Sequence, residues 1–144
     1  MSPTRAEGLA DVLHELVHSS SEVEGAAVVS GDGLPMASAL PGALDEEKLS
    51  AMTAAMLMLG ERASEALGRG RLNQVFVEGS NGYVFLMAAG PAVLCALTRQ
   101  GAKIGLVLFD MRRSSARISR LLEEPSDELT APAPLRPHRE PSAS

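Results

Sequence analysis

His14-Glu15-Leu16-Val17-His18 is the stretch of this sequence whose residue types and spacing match a metalloenzyme pattern. In H-E-x-x-H two imidazoles one helical turn apart hold zinc, and the glutamate between them activates a water molecule. At about 100° per residue, however, both histidines fall opposite the stripe formed by Leu9, Val12, Leu13 and Leu16. That places them on a solvated helix face, and no third ligand follows at a fitting distance, so no metal site is expected.

The other chemical candidates fail for similar reasons. Gly31-Asp32-Gly33 carries two glycines of a dinucleotide fingerprint, but Met36 stands where the third belongs and no helix follows directly, which makes it a hairpin turn. No G-x-x-x-x-G-K-[ST] occurs, so nothing cradles a triphosphate as a P-loop does, and the chain is not itself a P-loop GTPase. Cys95 is a single thiol inside an apolar run, the setting of a small core residue rather than a nucleophile. No Gly-x-Ser-x-Gly elbow nominates a serine. Arg112, Arg113, Arg117 and Arg120 make one helix face basic, which fits a solvated face first and a docking surface for an acidic partner second. The expectation is a protein with no catalytic residue and no cofactor.

Composition narrows the partners. A net charge of -5 removes the broad basic footprint that nucleic-acid phosphates require. The aromatics are Phe76, Tyr83, Phe85 and Phe109, with no Trp, too few for a base-stacking platform. No window approaches the roughly 18 consecutive apolar residues of a membrane span, and the opening Met-Ser-Pro-Thr-Arg-Ala-Glu lacks the apolar stretch of a signal peptide. One cysteine permits no internal disulfide, in keeping with a reducing compartment. A cytoplasmic protein that binds neither nucleic acid nor membrane is expected.

The elements follow from period and punctuation. Thr4 and Glu7 form a capping box that opens a helix over 5–19. A small and β-branched run over 23–30, the Gly31-Asp32-Gly33 turn and a second strand over 34–39 make a hairpin. Pro35 cannot donate to a ladder, so the second strand belongs at a sheet edge. Asp45 opens a long helix that runs to about residue 67, where Gly68-Arg69-Gly70 stops it. Strands over 72–78, 82–89 and 92–99 are separated by tight turns and imply an antiparallel meander. A last helix over 104–123 sets Ile104, Val107, Leu108, Met111, Ile118, Leu121 and Leu122 on one stripe. The order is α-β-β-α-β-β-β-α, an α+β fold with a five-stranded antiparallel sheet and helices on its faces. The domain is expected over 4–123, and the proline-rich 124–144 is expected to be disordered.

The second helix is too apolar for one sheet. Leu49, Met52, Met56, Leu59, Ala63 and Leu67 form a stripe able to cover a sheet face, yet Ala51, Ala54, Ala55 and Met58 make a neighbouring apolar stripe. Between Leu49 and Leu59 only Ser50 and Thr53 are polar. Either stripe is able to meet the sheet. A helix apolar most of the way round needs burial on two sides, and the small stripe predicts helix-to-helix dimerisation, with Arg62 and Glu65 placed to pair across an antiparallel copy.

Particular residues also resemble a family. Val23-Glu24-Gly25-Ala26-Ala27-Val28-Val29-Ser30 followed by Asp32-Gly33-Leu34-Pro35-Met36-Ala37-Ser38 resembles the opening hairpin of the Roadblock/dynein light-chain domain. Gly105-Leu106-Val107-Leu108, leading into Arg112-Arg113, resembles its entry to the last helix. The likeness covers about residues 4–123. It implies a profilin-like sandwich with strand order 2-1-5-4-3. It also implies homodimers in which the second helices pack together and the third strands, here with Val75 and Val77, pair across a two-fold. Bacterial members of this family regulate Ras-like small GTPases, as GTPase-activating or effector-type partners, and actinobacterial members occur beside a sensor kinase. The resemblance therefore implies a non-enzymatic homodimer that binds a Ras-like small GTPase; the alternative is a scaffold of the same fold that joins a sensor kinase or another complex without altering nucleotide turnover.

Overall fold

The computed structural model describes residues 4–123. The expected disorder of 124–144 lies outside those residues. The elements are α1 (Arg5–Ser19), β1 (Val23–Ser30), β2 (Pro35–Ala39), α2 (Glu46–Ala66), β3 (Gln74–Gly79), β4 (Gly82–Ala89), β5 (Ala92–Thr98) and α3 (Ile104–Glu123). They make one five-stranded antiparallel sheet in the order β2-β1-β5-β4-β3.

Local chemistry explains most boundaries. The Thr4 hydroxyl accepts the Glu7 backbone N–H at 3.1 Å and the Glu7 carboxylate accepts the Thr4 N–H at 3.0 Å, so the capping box is closed from both sides. The Asp45 carboxylate accepts from the Glu47 and Lys48 backbone N–H groups and starts α2. Pro35 opens β2 at the sheet edge, as its missing donor requires. β3 begins two residues later than the sequence predicts. Gly68 and Gly70 both take positive φ, and the chain uses the residues up to Asn73 to return to the sheet edge.

The strands alternate their side chains between two unequal cores. On one face Val28, Phe85, Met87, Leu94 and Ala96 pack with Leu9, Leu13 and Leu16 of α1 and with Val107, Met111 and Ile118 of α3. On the other face the core is thin: Leu86, Val93 and Cys95 pack under Leu49, Met56 and Leu57 of α2. Glu22 ties the first layer together. Its buried carboxylate accepts the Lys103 backbone N–H at 2.6 Å, at the start of α3, and lies 3.6 Å from the Arg99 guanidinium. An anion at a helix N-terminus is favoured by the helix dipole, so Glu22 fastens the α1–β1 loop to the entry of α3.

Candidate functional site

The face that α2 turns to the sheet takes only Leu49 and Met56 from the first apolar stripe and otherwise follows neither stripe. Ser50 and Thr53, 0% and 1% exposed, point inward, together with half-buried Leu57, Gly60 and Ser64. Of the stripe able to cover the sheet, Leu49 and Met56 pack on it, whereas Met52 is 53% and Leu59 68% exposed, and Leu67 is exposed as well. The physical reason is closeness. A Cβ on Gly60 would come within 2.9 Å of Val75 Cγ2, and Gly33 of the hairpin turn sits against the α2 backbone at Ala51. A helix this near the sheet takes small side chains at the points of closest approach, leaves Leu49, Met56 and Leu57 half-buried at the flanks, and turns Met52, Met58 and Leu59 outward.

The buried polar groups beneath α2 are satisfied locally or not at all. The Ser50 hydroxyl donates to the Glu46 carbonyl one turn back. The Thr53 hydroxyl has no hydrogen-bond partner at normal geometry. Its polar neighbour is the Cys95 thiol, whose pKa burial pushes up to about 11, with Thr53 opposing part of that rise. A thiol so held stays protonated and is no nucleophile at neutral pH.

Outward, α2 presents Ala51, Met52, Ala55, Met58, Leu59 and Arg62 to solvent. Among the residues expected at a helix-to-helix contact, Ala51, Ala55, Met58 and Arg62 lie on this exposed face. Ala54 is half-buried, within ordinary contact distance of the space beside Gly33. Met52 and Leu59, on the stripe that the wheel makes able to cover the sheet, belong to the exposed face; the signal for this is the row of small residues at 50, 53, 60 and 64, which marks the side of closest approach.

Next to this helix lies an open strand. β3 pairs with β4 on one side and ends the sheet on the other. Val75 is half-buried, packed with Leu86 and Val84 on the α2 face, while Val77 and Phe76 are exposed. Phe76 lies on the opposite face, 5.6 Å from Phe85 and 6.2 Å from Tyr83 by ring centroids. An edge with exposed apolar residues on both faces and no proline or lysine is unprotected against pairing with another strand.

The metalloenzyme candidate is not assembled. His14 and His18 are exposed, the His18 ring bonds the His14 carbonyl of its own helix, and Glu15 is engaged by Arg117 of α3. Among the described residues no group of three or more His, Cys, Asp or Glu stands close enough to share a metal ion. The four arginines of α3 do not form one basic face: Arg113, Arg117 and Arg120 lie on the side of α1, and Arg112 does not. Arg117 meets Glu15, Arg113 lies over the Phe109 ring at 5.9 Å, and Arg112 turns to the α2–β3 loop.

Known proteins with this arrangement can now be compared. The sequence model of the Roadblock/LC7 domain matches residues 9–98. The chain belongs to the Roadblock/LC7 domain family. A protein of Methanocaldococcus jannaschii, MJ1340, is 36% identical over 107 residues, which span 74% of this chain and 93% of that protein. A Roadblock/LC7 domain from Streptomyces avermitilis is 35% identical and superposes with a TM-score of 0.62 over 76% of this chain and 97% of its own. The gliding protein MglB from Thermus thermophilus superposes with a TM-score of 0.77 over 87% of this chain and 96% of its own, at 20% identity, a likeness of fold. Profilin shares the same layering. The Roadblock/LC7 fold thus accounts for the strand order and for the two helices on one face and one on the other.

Proposed function

We propose that this Roadblock/LC7 chain is a homodimer that binds and regulates a Ras-like small GTPase, with residues 4–123 as the regulatory domain and no catalysis of its own. The observation that carries the reading is α2 itself: its small polar residues Ser50 and Thr53 are buried against the sheet while Met52, Met58 and Leu59 face water, and its far end meets the β3 edge. Burying a Leu or Met side chain contributes about 1.5–3 kcal/mol, so Met52, Met58 and Leu59 together supply a strong reason to associate. Ala51 and Ala55 let a second helix approach closely, and Arg62 and Glu65 flank the row. No helix among the described residues is long and apolar enough to cross a membrane, and a cytoplasmic place suits this reading.

The β3 edge also favours one register. A strand paired with its own copy across a two-fold is antiparallel, and keeping both α2 helices on one side of the joined sheet puts the centre on a residue; the apolar ones are Val75, Phe76 and Val77. A centre at Phe76 sets Phe76 on itself and Val75 on the partner's Val77, all apolar. A centre at Val77 sets Phe76 against a glutamate, and one at Val75 sets Phe76 against a glutamine. Apolar and aromatic cross-strand pairs are worth about 0.2–1 kcal/mol each, so the two-fold passes through Phe76.

The GTPase as partner is supported by the resemblance in fold to MglB, the gliding protein. The test is light scattering on the purified chain at several concentrations, alone and with a Ras-like GTPase of the same genome loaded with GDP or GTP. A dimer that prefers the GTP form supports regulation, and hydrolysis rates then give its direction. A dimer indifferent to nucleotide turns the reading into a scaffold, for instance beside a sensor kinase; a monomer overturns the interface.

A further inference from the structure

At the C-terminal end of α2, the α2–β3 loop and α3 border an open cleft of about 720 Å³. Three arginines line it: Arg69 and Arg71 from the loop and Arg112 from α3, together with the side chains of Asn73, Gln74 and Ser64. Among the described residues no acidic one lines the cleft. The ion pairs among the described residues are Arg99 with Glu22 and Arg117 with Glu15, so none of the three cleft arginines is neutralised there. This gathering of unpaired positive charge occurs in a chain whose net charge is -5.

The loop that carries two of these arginines is held in place. The Arg69 backbone N–H donates to the Ser64 carbonyl at 2.7 Å, and the Ser64 hydroxyl donates to the Gly70 carbonyl at 2.7 Å. Gly68 and Gly70, with φ of 70° and 83°, supply the turn. Arg69 and Arg71 therefore leave a backbone pinned on both sides to the last turns of α2, and Arg112 leaves a helix packed on the sheet. Positions fixed before binding lower the ordering cost of capturing a ligand.

A guanidinium presents a planar fork of donors that matches two phosphate oxygens at once, and the Asn73 and Gln74 amides add neutral donors. Three positive charges around one cleft, with no carboxylate among its described lining residues, suit a ligand that carries more than one phosphoryl charge. We propose that this cleft binds a di- or polyphosphate group, either free or as the phosphate chain of a nucleotide. Leu72 and Met87 form its apolar wall, against which the rest of a nucleotide would rest.

The test is titration calorimetry of the full chain with pyrophosphate, ATP and GTP at low salt, with no GTPase present. Saturable binding of pyrophosphate that weakens roughly tenfold or more in each of Arg71→Ala and Arg112→Ala is the expected result. Arg113→Ala, whose side chain lies over Phe109, should bind as the wild type does. Equal affinity for pyrophosphate and nucleotides identifies the phosphate chain alone as the ligand; tighter binding of a nucleotide shows that Leu72 and Met87 hold its other half. Absence of saturable heat overturns the proposal, as does binding unmoved by the two substitutions. With the two-fold through Phe76, the partner's Glu78 would stand opposite Gln74 at this cleft. Binding that appears only in Glu78→Gln would show that a second copy's carboxylate fills the cleft, and would overturn the proposal while leaving the dimer intact.

Discussion

Val75 of β3 fills the space that Gly60 of α2 leaves open: a Cβ at position 60 would lie 2.9 Å from Val75 Cγ2 and 3.2 Å from Leu72 Cδ2. The helix thus meets the edge strand at bare backbone. The start of α2 lies against the Gly33 turn instead, so the helix crosses the sheet and brings its Gly60 end, with exposed Leu59, beside an edge strand.

Gly60→Leu should lift α2 from the edge strand. Overpacking of this kind costs about 1–3 kcal/mol, against roughly 1 kcal/mol regained in helix propensity. Urea unfolding should show a lower midpoint for Gly60→Leu and a nearly unchanged one for Gly60→Ala, where the two effects offset. An unchanged midpoint for the leucine variant would refute the close approach.

Ala55→Arg should yield a folded monomer. The substitution sets a bulky charge on the exposed face of α2, which costs nothing in the isolated chain and is prohibitive in a close helix contact. Light scattering should report half the wild-type mass with an unaltered circular dichroism spectrum. Ala54→Arg, one position on, should instead disturb folding, because Ala54 packs against the Gly33 turn.

Cysteine cross-linking reads the register directly. In an oxidised dimer Phe76→Cys should form a disulfide with its own copy, whereas Val75→Cys and Val77→Cys should do so only when mixed with each other. Buried Cys95 leaves no competing exposed thiol among the described residues. Self-linking through position 77 would move the two-fold by one residue, and a dimer that links at none of these positions would show that β3 does not pair.

Acid should loosen the junction between β1 and α3. The Lys103 backbone N–H above all, then Ser21 and the positive charges of Arg99 and Lys103, hold the Glu22 carboxyl below the ordinary carboxylate range, against the opposing effect of burial. A folded-state pKa below the unfolded one means that the unfolded chain binds more protons in acid. The stabilisation is complete above the unfolded pKa and disappears as the pH falls through the folded value. Thermal melts from pH 7 downward should therefore show a smaller loss of Tm for Glu22→Gln than for the wild type, from a lower starting point.

Much of the architecture was legible from neighbouring residues. Thr4 and Glu7, Asp45, Pro35 and the Gly68-Arg69-Gly70 stop act within a few residues of themselves, so the helices were placed within a residue or two and β2 at the edge. The β3 start was missed because the two positive-φ glycines lengthen the connection, and pattern alone does not count the residues needed to regain the sheet. The arginine cleft was not legible at all: Arg69 and Arg71 lie some forty residues from Arg112 in the chain and meet only when α3 lies across β4.

The sequence by itself determined the elements, their order, the Roadblock-type fold and the excess of apolar surface on α2. Only the tertiary structure decided which side of α2 faces the sheet. An amphipathic helix announces its buried side through the contrast between its faces, and α2 has little contrast between Leu49 and Leu59. Its orientation is set instead by where the helix comes closest: Ser50, Thr53 and Gly60 are small enough to lie against Gly33, Cys95 and Val75, Leu49, Met56 and Leu57 fill the space at their sides, and Met52, Met58 and Leu59 are left outside.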